Sequence, residues 1–277
     1  MAKVYEMVTT KIIQILERGV IPWRRPWTTR GAAVNWVTQK PYRGISTMLL
    51  EPGEYATFNQ IKEAGGTVKK GAKSHLVVFW KWIEVQNEET EEKEKVPFLR
   101  YYNVFEINTQ CEGLKSKRKV ELFEHDPIAE AEKIKEGYRD SPKMFFKPGQ
   151  AYYVPSLDRI QIPPLEDYKN PAEYYSTMFH EMVHSTGHYS RLNRPGIEKA
   201  VAFGNETYSK EELVAEIGAA MLCSVAGIDN STIENSAAYI GSWLRKLKDD
   251  KKLIVQAAAQ AQKAADYILG IDFSDLE

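Results

Sequence analysis

The run His180-Glu181-Met182-Val183-His184 restricts the fold of this chain more than any other stretch. Two imidazoles four residues apart can share one metal ion only if the backbone between them is helical. On a helix they stand one turn apart on one face, about 5–6 Å between Cβ atoms. In a strand they would lie about 13 Å apart, at roughly 3.3 Å per residue. The flanks agree with a helix. Asn170-Pro171 supplies an N-cap and a proline at the first helical position, and Gly187 supplies a stop. A helix over 171–186 is therefore predicted, with Glu181 beside the first histidine and directed at the same space.

A catalytic zinc keeps three protein ligands and leaves a fourth place for water, so a third ligand must come from elsewhere. The longer metzincin pattern requires a histidine at position 190. Gly187 fits that pattern, but residue 190 is serine and His188 comes two positions too early, so His188 reads as a polar rim residue. The better source is a helix over 209–227, in which Ser209 and Glu212 have capping-box spacing. Its Glu212 and Glu216 share one face, so one can ligate the metal while the other holds a ligand histidine. Gly218, Ala219 and Ala220 are small enough for this helix to approach the first closely. The arrangement resembles that of gluzincins, which implies Glu212 as ligand and Glu216 behind a histidine; the reverse assignment stays open. The expected chemistry is hydrolysis with Zn2+ as cofactor and Glu181 as general base. The strand-like stretch 151–164 is placed to align a peptide by β-augmentation.

Composition bounds the rest. The 277 residues allow one large domain or two ordinary ones, and 43% hydrophobic with 27% charged residues is the balance of a soluble globular protein. The N-terminus is charged throughout and reads as neither a signal peptide nor a membrane span. Cys111 and Cys223 alone argue for free thiols in a reducing compartment. A cytoplasmic protein without a membrane partner is expected. The net charge of −1 conceals an asymmetry: residues 1–120 hold 20 Lys and Arg against 13 Asp and Glu, and the remainder is net acidic. Five of the six tryptophans precede residue 83.

Cationic side chains interleaved with flat rings are what single-stranded nucleic acid requires, since phosphates need charge and bases need stacking surfaces. The stretch "PWRRPW" supplies Trp23, Arg24, Arg25 and Trp27, "KPYRG" supplies Tyr42 and Arg43, and "GGTVKKGAK" supplies Lys69, Lys70 and Lys73. Residues 75–85 and 97–107 read as two strands of a hairpin around the acidic run 87–95, and the second adds Arg100 and Tyr102. Trp80 and Trp82, alternating within a strand, are expected in the core. Composition alone does not separate DNA from RNA. Helices are predicted over 4–19, after Thr57, over 126–138, and twice within 231–268, so the fold is α+β. The parts are expected at 1–125, an α+β domain with a β-hairpin, and 126–277, a mainly helical domain with a small sheet.

Taken in order, "PWRRPW", "YRGIS", "FNQIKEAGGTVKKGAK", "YYNVFEINTQ", "AYYVPSLDRIQIPP", "FHEMVHSTGH" and "EELVAEIGAA" resemble the ArdC-type antirestriction proteins of plasmids and phages. The resemblance spans nearly the whole chain. It implies an N-terminal single-stranded-DNA-binding domain joined to a zincin-like metallopeptidase domain, protecting incoming mobile-element DNA from host restriction. A host restriction or DNA-processing protein would be a target. It carries His180, Glu181, His184 and Glu212 over as site residues. Two departures stand out: Ser46 and Glu106 occupy positions where asparagine is expected, and both would loosen an N-terminal contact. Two other readings remain: a non-catalytic DNA-binding protein with a structural zinc, and a peptidase whose basic domain recognises protein.

Overall fold

Apolar residues recur at helical spacing from Val4, and helix α1 (Ala2–Leu16) buries Val4, Val8, Ile12, Ile15 and Leu16 along that stripe. The computed structural model describes residues 2–24, 32–86, 93–118, 126–195, 197, 206–229 and 237–271. The chain divides into two compact units, Met1–Gln14 with Gly31–Val120, and Ile15–Arg30 with Glu121–Glu277. A single cut at 125/126 was expected; here Ile15–Arg30 groups with the second unit.

In the first unit, short elements precede a long hairpin. They are β1 (Val34–Asn35), α2 (Ser46–Leu49), β2 (Glu54–Thr57), α3 (Phe58–Glu63) and β3 (Thr67–Val68). The hairpin is β4 (His75–Gln86) and β5 (Lys93–Glu106), followed by α4 (Ile107–Gln110) and β6 (Cys111–Glu112). Its strands pair from His75↔Val104 to Gln86↔Lys93. The ladder therefore takes in residues 93–95 of the acidic run that was expected to be loop. The sheet order is β1-β2-β5-β4, and β3 pairs β6 separately. Successive β2 side chains point to opposite faces, and Tyr55 and Ala56 accordingly belong to two cores. One contains Ala33, Leu50, Tyr55, Val77 and Val104; the other contains Trp36, Ala56, Ile61, Ile107 and Cys111. Thr57 caps α3 with the full capping box, exchanging bonds with Gln60.

The two departures are well bonded. Ser46 is buried, and its hydroxyl donates to the Val78 carbonyl and accepts from the Val78 N–H, tying α2 to β4. Glu106 caps α4 by accepting from Thr109 N at 2.6 Å. Each of the two side chains thus has a backbone partner within the first unit.

From Glu121 the second unit continues with α5 (Pro127–Gly137), capped by Asp126, and then β7 (Lys143–Phe146), β8 (Tyr152–Val154) and β9 (Arg159–Ile162). Strand β9 lies centrally, parallel to β7 and antiparallel to β8. Helices α6 (Pro171–Thr186), α7 (Glu206–Ala226), α8 (Ala237–Asp249) and α9 (Leu253–Leu269) complete it. Asn170 caps α6 by accepting from Glu173 N at 2.9 Å. Helix α7 starts before Ser209, which lies inside it; a Ser-x-x-Glu spacing is as compatible with a helix interior as with a cap. A Cβ at Gly218 would stand 2.8 Å from Val183 Cγ2, so α6 and α7 pack at a distance only glycine permits there. Buried alanines 257, 258, 261, 264 and 265 bring α9 similarly close to its neighbours.

Trp23 corrects an expectation. It sits in a short 3₁₀ turn, Pro22–Arg24, at 2% exposure, with its ring edge-on to Trp243 at 6.1 Å. A ring enclosed this way has no face left for a base.

Candidate metal centre

Helix α6 delivers His180 and His184 one turn apart, with their Nε2 atoms 3.0 Å from each other. Helix α7 brings Glu212 against both: Oε2 lies 3.6 Å from His180 Nε2, and Oε1 lies 3.5 Å from His184 Nε2. Among the described residues these three form a group whose ligand atoms all lie within 4.8 Å of one another. Glu212, not Glu216, therefore brings its carboxylate into the trio. Two imidazole nitrogens and one carboxylate are a donor set for a divalent metal. His180 and Glu212 keep some exposure, whereas His184 is nearly enclosed.

The electrostatics of the trio favour a cation. Burial disfavours the His184 imidazolium, but hydrogen bonds to Glu211 and Glu212 and the nearby Glu181 charge outweigh it and push its pKa up to about 10. Burial alone would raise Glu212; hydrogen bonds and charge from His180 and His184 instead hold its carboxyl well below the usual range. Glu181 is 8% exposed and shares α6 with both histidines.

The sequence placed Glu216 behind a ligand histidine without saying which one. Behind His184 the structure brings Glu211, whose Oε1 lies 3.4 Å from His184 Nδ1. Periodicity favoured Glu216 because it shares a face with Glu212. The way α7 lies against α6, not the repeat along α7, decides which carboxylate reaches across. Glu211 is itself gripped by Arg194, and nothing in the spacing of the sequence flagged that arginine. His188 is buried rather than at a rim, with its Nδ1 2.8 Å from the Ser190 hydroxyl, and it stands outside the trio.

The candidate nucleic-acid contacts fall into three groups. Lys69, Lys70 and Lys73 are exposed around the turn at Gly71, whose φ of +83° suits glycine. Arg100 and Tyr102 lie on β5, where register places Arg100 opposite Phe79 and Tyr102 opposite Val77. Paired residues share a face. That face is core at Val77 and Val104 but open toward the hairpin tip, where Phe79 is 60% and Tyr102 41% exposed, with ring centroids 6.0 Å apart. Phe79 was missed in the sequence because an aromatic within an alternating strand reads as core. Tyr42 is partly buried against the first core and edge-on to Tyr55, and Arg43 is half-buried. Arg25 and Trp27 lie outside the described residues, as do the side chains of Arg24, Trp80 and Trp82. Among the described residues no helix is long and apolar enough to cross a membrane.

Residues 2–105 match the N-terminal domain of anti-restriction factor ArdC, and residues 139–260 match a zincin-like metallopeptidase family. An uncharacterized protein, y4eC of Sinorhizobium fredii, is 32% identical across 96% of this chain and 91% of its own length. A DNA primase TraC of Escherichia coli is 31% identical across 99% of this chain, which spans only 28% of the primase. Two crystal structures of antirestriction protein ArdC from plasmid R388 align over nearly the full length. The metal-free form is 38% identical over 95% of this chain and 96% of that one, with a TM-score of 0.71. The Mn(II)-bound form is 36% identical over 96% and 97%, with a TM-score of 0.73.

Proposed function

We propose that this chain, which belongs to the ArdC family of antirestriction proteins, binds single-stranded DNA through its first unit and hydrolyses peptide bonds at a zinc site in its second. In this reading it acts in the cytoplasm and protects incoming plasmid or phage DNA from host restriction, with a host restriction or DNA-processing protein as its target.

The observation that carries the hydrolytic reading is the convergence of His180, His184 and Glu212 from two helices, with Glu181 on the same turn as His180. These three would hold the metal. A structural zinc is usually closed by four protein ligands, whereas three with partly exposed His180 and Glu212 leave room for water. When bound, zinc supplies a Lewis acid that lowers the pKa of water and polarises a carbonyl. The chain's own contribution is proton handling. A Glu181 carboxylate oxygen takes the proton of the attacking water and delivers it to the leaving nitrogen, from a buried position that keeps bulk water away. DNA binding is supported by the lysines at 69, 70 and 73 and by the open ring face at Phe79 and Tyr102. Arg25 and Trp27 stay in the proposed set, and Trp23 does not.

Glu181→Gln tests the reading in a transfer assay, in which unmodified plasmid DNA enters a restricting host. The variant is expected to keep metal and oligonucleotide binding and to lose protection. Full protection by Glu181→Gln would refute the hydrolytic function.

A further inference from the structure

Arg194 sits in the loop after α6, 4% exposed, and each of its three guanidinium nitrogens donates a hydrogen bond. Nε donates to Glu211 Oε2 at 3.0 Å and Nη2 to Oε1 at 2.5 Å, a two-pronged grip on one carboxylate. Two further donors reach α6: Nη1 bonds the Thr186 hydroxyl at 2.6 Å and Nη2 the Val183 carbonyl at 2.8 Å. Val183 and Thr186 flank His184 in the last turn of α6, and Glu211 belongs to α7. One side chain thus ties the turn that carries a ligand histidine to the carboxylate that faces that histidine's other nitrogen.

The loop is built to bring Arg194 there. Its N–H bonds the Gly187 carbonyl at 2.9 Å, folding the chain back over the helix end. A Cβ at Gly187 would stand 3.0 Å from Arg194 Nη2 and 2.4 Å from Ile197 Cγ1. Gly187 has φ −76°, open to any residue, so glycine is needed for space rather than for conformation. Glu211 is 7% exposed, and an unpaired carboxylate buried that deeply would be strongly unfavourable.

We propose that Arg194 is a positioning residue for the metal centre: by fixing Glu211 it sets the His184 ring with Nδ1 toward the carboxylate and Nε2 toward the trio, the orientation in which Nε2 binds a metal that displaces its proton. The inference rests on the reading that the trio binds a divalent metal. Removing such an outer partner typically lowers metal affinity about 10–100-fold. Lysine cannot reproduce the two-pronged geometry, so Arg194→Lys removes the fixing while keeping the charge.

The test titrates metal-free full-length protein with Zn2+ against a chromophoric chelator, and with Co2+ to read ligand geometry from the visible spectrum. Arg194→Lys is expected to weaken Zn2+ binding at least about tenfold and to alter the Co2+ spectrum while the far-UV circular dichroism stays native. Combined with Glu211→Gln, it should weaken binding no further than the stronger single variant, because both act through one carboxylate. Wild-type Zn2+ affinity and Co2+ spectrum in folded Arg194→Lys would overturn the proposal and leave Arg194 a purely structural residue. If Arg194→Lys does not fold, the isosteric Glu211→Gln decides alone, and unchanged affinity in it overturns the proposal equally. Failure of the wild-type protein itself to bind Zn2+ or Co2+ would instead refute the metal reading on which this rests.

Discussion

Trp23→Ala separates a core tryptophan from a DNA-stacking one. The Trp23 ring is 2% exposed and edge-on to Trp243. A buried aromatic side chain removes about 150–250 Å² from water. At roughly 25 cal/mol per Å² this is worth about 4–6 kcal/mol. The indole N–H has no hydrogen-bond partner among the described residues, and an unmet buried donor costs about 1–3 kcal/mol, which the substitution also removes. The expected net destabilisation is about 1–5 kcal/mol. Urea unfolding followed by far-UV circular dichroism measures it, since the variant loses a fluorophore. Anisotropy with a labelled single-stranded oligonucleotide, under conditions where the variant is folded, measures binding. The reasoning requires a lower unfolding midpoint and unchanged oligonucleotide affinity. An unchanged midpoint with tenfold weaker binding would refute it and return Trp23 to the DNA interface.

Three further outcomes are expected. Phe79→Ala and Tyr102→Ala should each weaken oligonucleotide binding by about 1–3 kcal/mol, less than additively because the rings touch; wild-type binding that does not fall with salt would count against the DNA reading itself. Gly187→Ala should cost about 1–3 kcal/mol by overpacking, given the 2.4 Å approach to Ile197 Cγ1, and an unaltered urea midpoint would contradict it. Asp158 is paired with Arg191 and Tyr153; burial raises its pKa, but these partners more than reverse that and hold it below the ordinary 3.8. A group depressed on folding contributes stability above its unfolded pKa and loses it as pH falls through the folded value. Asp158→Asn should therefore destabilise at neutral pH, and the gap to wild type should close below about pH 4; a gap independent of pH would show that the charge contributes nothing.

Much of the fold was legible because local chemistry agreed with it. Thr57, Asp126 and Asn170 cap the helices that follow them, and the β-branched and aromatic runs pair as the hairpin. What failed locally failed for one kind of reason. Trp23 stands in a stretch of prolines and arginines whose composition suggests a surface, yet packing against Trp243, some two hundred residues later, encloses it. Phe79 belongs to an alternating strand whose pattern suggests core, yet it stands 60% exposed against the Tyr102 ring, two residues past the buried Val77.

The metal centre divides along the same line. The chain by itself determined that two histidines and a glutamate share one helical turn, because capping, spacing and the stop at Gly187 are all local. Which acid completes the trio, and which holds His184, was decided by how α7 lies across α6. Glu211, Glu212 and Glu216 are neighbours on one helix, and only the crossing, set by the missing side chain at Gly218 against Val183, selects among them. Arg194 carries no motif at all. It matters because a folded loop brings it to Glu211, a contact between residues 17 positions apart that no periodicity encodes.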